Sequence, residues 1–487
     1  MRLLAATALA LSLALPAAAQ DSATVGLQLE PPHLDPTSAA AGAIDSVLYA
    51  NVYEGLTRFA PDGSIVPGLA ESWDISEDGK TYTFHLRGGV TFHDGSSFEA
   101  ADVVFALDRA RAEDSTNAQK ALFEGIESVE APDERTLVVT LKAPDGQFLF
   151  NMAWGDAVVF APEGVDALQT TPDGTGPFRF EDWKQGDSIT LVRNEDYWGE
   201  KPALAKVTFK FISDPTAAFA ATMSGDVDAF YGYPAPENLA QFEADPRFQV
   251  LEGSTEGETI LAMNNARAPF DDPRVREAVA LAVDRQAIID GAMYGYGTPI
   301  GSHFAPHSPD YMDLTGETPH DPERAKALLA EAGHPDGFET TLILPPPSYA
   351  RRGGEIVAAQ LRAVGIEARI ETVEWAQWLE QVFNGHDFDL TIVSHTEPFD
   401  IGIYARPDYY FGYDSEEFRE IMADLTAATD PAERKALIES AQRRIAEDHV
   451  NAFLFELALT SVANAKLQGL WTDAPTQATD MTGVHWE

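Results

Sequence analysis

Apolar and polar residues alternate along TYTFHLR at 81–87, so that Tyr82, Phe84 and Leu86 fall on one face and Thr81, Thr83 and His85 on the other. That period of two predicts a half-buried strand, and with ESWDI before the turn SEDGK it predicts a hairpin. ESVEA and RTLVVTLK around PDE predict a second hairpin. Between them the period lengthens. Val103, Val104 and Leu107 share one side of FEAADVVFALDRA, a helix whose start carries Ser96 and Glu99 at capping-box spacing.

From about residue 174 the texture changes to GTGPFRFEDW, a strand SITLVRN, and then KVTFKFI. Asp-Pro pairs at Asp214-Pro215, Asp272-Pro273 and Asp321-Pro322 mark helix starts, with the aspartate at the N-cap and proline in the first turn. Between 338 and 395 strand FETTLIL, helix GEIVAAQLRAV ended by Gly365, strand IEARIETV, helix EWAQWLEQVFNG and strand DFDLTIVS follow one another. This βαβαβ order predicts a parallel sheet with crossover helices. Two helices, SEEFREIMADLTAA and PAERKALIESAQRRIAED, and a strand NAFLFEL complete the pattern. Open parallel sheets hold ligands outside the carboxyl ends of their strands. PPPSYARR follows the first strand of the run and SHTEPFD the last, so both loops are expected at one edge, with Arg351 and Arg352 at the start of a helix beginning near Gly353.

A chain of 487 residues is several times the size of a single domain of about 150, so at least two lobes are expected. Residues 1–19 combine Arg2, an apolar run from Leu3 to Leu15, Pro16 and small residues in A-x-A spacing, the pattern of a cleavable secretory leader. No later run is long enough to span a bilayer, and with no cysteine the exported core must hold without cross-links; a bacterial periplasm fits. A formal charge of −45 repels phosphate backbones and anionic lipid heads, which argues against nucleic-acid or membrane-surface partners.

Catalytic signatures are missing: there is no cysteine nucleophile, no G-x-S-x-G, no H-E-x-x-H and no G-x-G-x-x-G. Gly79-Lys80-Thr81 belongs to a hairpin turn, and His93 in FHDG to another. His303 and His307 have i, i+4 spacing, but HFAPHSP contains two prolines, so the pair reads as loop and no metal site or cofactor is assigned.

Several segments together resemble the family 5 periplasmic solute-binding proteins, the receptors of peptide, nickel and oligosaccharide ABC importers. They are YEGLTRFAPDGSIVPGLAESWDISEDGKTYTFHLRGGVTFHDG (53–95), AADVVFAL (100–107), GTGPFRFEDWKQGDSITLVRNEDYWG (174–199), GDVD (225–228), NNARAPFDDPRVREAVALAVDR (264–285), DPERAKALLAEAG (321–333) and AAQLRAVGIEARI (358–370). The resemblance implies an α/β, two-lobed type II periplasmic binding protein with a subdomain inserted in lobe one. Lobe one then takes 20–53, 174–263 and 472–487, the inserted subdomain 54–173, and lobe two 264–471. A ligand between the lobes stabilises a closed state that an inner-membrane permease reads, with no covalent chemistry and a monomer as the working unit.

Peptide-binding members are similar to one another in using an arginine near 351 for a ligand carboxylate and an aspartate after the last strand of the run for its amino group. Here Arg351 or Arg352 takes the first role, beside Tyr349. Around the second lie Glu397, Asp400, Arg406 and His395, with Tyr404, Tyr409, Tyr410 and Phe411; Trp375 and Trp378 on the following helix and Glu30 past the first strand complete the candidates. A small peptide or peptide-like zwitterion is expected. An oligosaccharide, whose sugar faces stack on aromatic rings, an opine-like compound, or a metal chelate held through His33, His303, His307 and His395 are the alternatives. An acidic secreted hydrolase with paired carboxylates is the alternative of another class.

Overall fold

A computed structural model describes residues 20–38, 42–396 and 399–487; the expected leader, and Glu397, lie outside them. One eleven-stranded sheet runs through the molecule. From one edge its strands are Ile366–Thr372, Phe338–Leu344, Leu390–His395, Phe248–Met263, Asn451–Asn464, Ala229–Phe230, Ser22–Leu27, Lys206–Phe211, Ser188–Arg193 and Phe178–Lys184, with Thr298–Pro299 paired onto Asn451–Asn464. The first three are parallel, as the βαβαβ order predicts, and strand 338–344 lies between the other two. Ser22–Leu27 is parallel to both of its neighbours.

The parallel run is buried on both faces. Leu342, Leu344, Leu390 and Ile392 enter one apolar core with Val357 and Leu361 of the crossover helix; Ile343 and Val393 enter another with Trp378, Tyr410 and Ile438. Two-sided burial explains why LIL at 342–344 and IV at 392–393 show no alternation of apolar and polar residues. The crossover helix spans Ser348–Ala363 and starts five residues before the expected point. Gly353 and Gly354 are therefore interior positions. A Cβ on Gly354 would sit 2.4 Å from Leu344 Cδ1, so the glycine serves close helix–strand packing and not a helix start. The second crossover is a short α-turn, Trp375–Trp378, continued as a π-turn over Leu379–Asn384.

A separate four-stranded sheet has the order Ala70–Ile75, Thr81–Leu86, Thr136–Leu141, Ile126–Asp133. Both expected hairpins are in it, and Tyr82, Phe84 and Leu86 are buried in its core with Val103 and Leu107 of helix Ala100–Arg111. The capping box of that helix is Glu99 with Asp102, not Ser96 with Glu99; Ser96 is held in the preceding turn by Asp94. Asp214, Asp272 and Asp321 cap their helices by accepting from the N–H of Ala217, Arg274 and Arg324.

Two long neighbours, Phe248–Met263 and Asn451–Asn464, join the halves of the large sheet. Residues 248–254 pair with 458–464, and 258–262 with 451–456; between them Thr255, Glu256 and Gly257 break the register opposite Leu457. On one side of this break the sheet continues to the parallel run, on the other to strand 22–27.

Candidate functional site

A cavity of about 1020 Å³ opens over the register break. Thr255, Glu256, Gly257 and Leu457–Thr460 line its base. One wall comes from the ends of strands 22–27 and 229–230, through Leu27, Gln28, Tyr231 and Tyr233, together with Asp45, Trp154 and Asp156. The facing wall comes from the segments after strands 338–344 and 390–395: Ser348, Tyr349 and Thr396, with Met293 and Tyr296. The two loops expected at one sheet edge thus meet at one cavity, and strand ends from both halves of the sheet surround it.

The ionisable lining is acidic. Asp45, Asp156 and Glu256 line the cavity, and neither lysine nor arginine is among the described lining residues. Asp45 stands on helix Gly42–Leu48, and Gly155 lets it approach: a Cβ there would lie 2.4 Å from Asp45 Oδ1. Asp45 Oδ1, Asp156 Oδ1, Trp154 Nε1 and Tyr231 Oη are buried and have no hydrogen-bond partner among the described residues. Burial, then the neighbouring Asp156 carboxyl, push Asp45 well above the usual carboxylate range, and burial pushes Asp156 up to about 7. Two adjacent buried carboxyls with no lysine or arginine beside them among the described lining residues are suited to a cationic ligand group. Glu256 differs, because His307 Nε2 meets it at 2.6 Å while His307 Nδ1 faces Ser254 Oγ at 2.7 Å.

Of the residues singled out in the sequence, Tyr349 lines this cavity. Arg351 donates through Nη2 to Val373 O at 3.2 Å and pairs with Glu374 at 3.1 Å. Arg352 donates to Tyr294 Oη at 2.6 Å and Gly291 O at 3.0 Å, with its guanidinium 4.7 Å from the centre of the Tyr294 ring. Because the helix starts at Ser348, both arginines sit within its early turns instead of ahead of it, and Arg351 N already bonds Pro347 O. Glu30 accepts from Trp183 Nε1 and Gly186 N. Trp375 is 40% exposed and packs edge-on against Trp378, and Arg406 lies over the ring of Tyr409.

Asp400, His395 and Tyr404 come together, but below the cavity lining. His303 Nε2 contacts Asp400, His395 Nδ1 lies 3.4 Å from Asp400 Oδ2, and Tyr404 Oη and His303 Nδ1 are 3.2 Å apart. Burial opposes the charge on Asp400, yet His303 and His395 hold its carboxyl below the ordinary range. Tyr409, Tyr410 and Phe411 are buried in the adjoining apolar core. His303 and His307 face different clusters, as their non-helical loop implies. The lining residues Asp45, Trp154, Asp156 and Tyr231 carry no sequence signal of their own, although Tyr231 directly follows a parallel strand, the position from which the sheet-edge rule would have found it.

The profile of the bacterial extracellular solute-binding proteins, family 5 middle region, matches residues 64–415. The chain is 34% identical over 366 residues to heme-binding protein A of Haemophilus influenzae, covering 69% of this chain and 67% of that protein. It is 31% identical over 470 residues to the glutathione-binding protein GsiB of Pectobacterium atrosepticum, covering 90% and 89% respectively. The solved structure of HbpA2 from Haemophilus parasuis superposes with a TM-score of 0.88 at 26% identity, over 96% of this chain and all of that one. The chain therefore belongs to family 5 of the bacterial extracellular solute-binding proteins, which are binding receptors of ABC importers and not enzymes.

Proposed function

We propose that this receptor captures a small peptide or peptide-like zwitterion by its free ammonium group, in the periplasm, and delivers it to an inner-membrane ABC permease. The observation that carries the reading is the pair Asp45 and Asp156 in the cavity wall, each with one buried carboxylate oxygen that lacks a hydrogen-bond partner among the described residues. An ammonium between them gains two charge-assisted bonds and compensates two buried carboxyls at once. Facing them, Ser348 and Tyr349 begin a sixteen-residue helix, whose positive end suits the ligand's carboxylate. The register break at 255–257 is the natural hinge between a lobe carrying Asp45 and Asp156 and a lobe carrying Ser348 and Thr396. Doubly anionic compounds fit this lining less well than a zwitterion does.

Calorimetry with matched di- and tripeptides, free and N-acetylated, tests the reading. Free peptides bind, and acetylation, which removes the cation, abolishes binding; equal affinity for both forms would refute it. In the same titrations Arg351→Ala and Arg352→Ala change the affinity less than about threefold, since each guanidinium already has partners within the protein.

The affinity also follows a bell in pH. In the ligand-free receptor Asp156 is protonated below about 7, so binding weakens as pH falls through 7 and releases a proton there. Above about 8 the peptide amine itself loses its charge. Peak affinity is expected between about 7 and 8, and a profile flat from pH 5 to 8 would exclude ammonium recognition by this pair.

A further inference from the structure

Beneath the cavity base, one row of residues crosses three adjacent strands. His395 is opposite Glu258, and Glu258 is opposite Glu456. Register partners point to the same face, so two carboxylates and an imidazole are gathered side by side. The segment 302–305 and the turn Asp400–Ala405 cover this face and add His303 and Asp400. Glu258 is 3% exposed, Glu456 0%, His303 1% and His395 7%. One ligand atom from each of Glu258, His303 and Asp400 lies within 4.8 Å of the other two.

Hydrogen bonding within this cluster is incomplete. His303, His395 and Asp400 satisfy one another, and Tyr404, itself bonded from Asn451 Nδ2 at 3.2 Å, fixes the far nitrogen of His303. Glu258 Oε2 has no partner among the described residues, although it is fully enclosed. A buried carboxylate oxygen left unbonded is costly unless a proton or a cation meets it. Glu456 and Asp400 add carboxyls to the same enclosure.

We propose that Glu258, His303 and Asp400 bind one divalent transition-metal cation of the zinc class, at a structural site separate from the ligand cavity. One imidazole nitrogen and two carboxylate oxygens are a donor set for zinc, cobalt or nickel, whereas calcium and magnesium take oxygen alone. Tyr404 on His303 and His395 on Asp400 stand where outer partners orient metal ligands. Glu258 follows the register break directly, and Thr396, next to His395, lines the cavity, so the cation ties the covering loops to the strands at the hinge.

The test uses mature protein without a polyhistidine tag, stripped with a chelator and titrated with Zn²⁺ and Co²⁺. One equivalent of Zn²⁺ binds and raises the melting temperature, and Co²⁺ gives the visible bands of a low-coordinate site with a nitrogen ligand. Glu258→Gln, which keeps the side-chain shape, and His303→Ala each weaken Zn²⁺ binding at least tenfold; His307→Ala leaves it unchanged. The proposal fails if the parent protein takes up no stoichiometric metal, or if His303→Ala binds Zn²⁺ as the parent does. Should the variants not fold, the parent decides alone: a Co²⁺ spectrum without nitrogen ligation overturns the site.

Discussion

An Asp45→Asn, Asp156→Asn double variant binds a free peptide at least about a hundredfold more weakly than the parent, yet unfolds at a higher temperature at pH 8. The loss follows from two charge-assisted bonds to the ligand ammonium, each worth about 1.5–3 kcal/mol. The gain has the opposite sign because both aspartates are destabilising in the empty receptor. Their folded pKa values are raised, so above an unfolded value near 4 folding must bury charge or retain a proton that the unfolded chain has released. Asparagine removes that cost, on the order of 4 kcal/mol at pH 8 for Asp156 alone, and the advantage shrinks as pH falls toward 4. Calorimetry and thermal melts on the same samples read both effects. A variant that loses affinity and stability together has merely been damaged, and the ammonium reading would then lack its support.

The second large effect is on folding. Gly337 has φ +77°, and a Cβ there would lie 1.8 Å from the carbonyl oxygen of Gly365. That oxygen accepts from Phe338 N at 3.2 Å, the first bond between parallel strands 338–344 and 366–372. Gly337→Ala therefore incurs left-handed strain of about 1–2 kcal/mol, a steric cost of about 1–3 and the weakening of that bond, for a total of about 3–5 kcal/mol by denaturant titration. Gly333 is the control: its φ is +94°, but a Cβ would meet nothing within 4 Å. Gly333→Ala should cost the strain alone, and equal losses at the two positions would show that close approach contributes nothing.

Periodicity carried the local structure well where one physical cause dominated. The alternation at 81–87 and the Asp-Pro starts were legible because burial of one face and satisfaction of helix N–H groups act within a few residues. Gly353-Gly354 misled because a glycine needed for contact with Leu344 looks the same in sequence as one that breaks a helix. Strand Asn451–Asn464 proved twice as long as its apolar stretch NAFLFEL, since its far half is specified by partners some two hundred residues away. The site was less legible than the fold. Asp400 looked like a ligand group in a loop, but its direction depends on His303, nearly a hundred residues earlier. Asp45 and Asp156 become neighbours only through tertiary packing around Gly155.

The lateness of strand Asn451–Asn464 has a consequence for the order of events. It lies between Phe248–Met263 and Ala229–Phe230, so without it the large sheet exists as two unconnected pieces. Ala478, Met481 and Val484, later still, fill the core around strand 22–27. Synthesis delivers these residues after almost everything they stabilise, and the halves cannot lock while the chain is growing. Until residue 464 emerges, the two halves of the large sheet can form only as separate pieces. The strand thus acts as a keystone: closure of the large sheet waits for it, whatever has formed before.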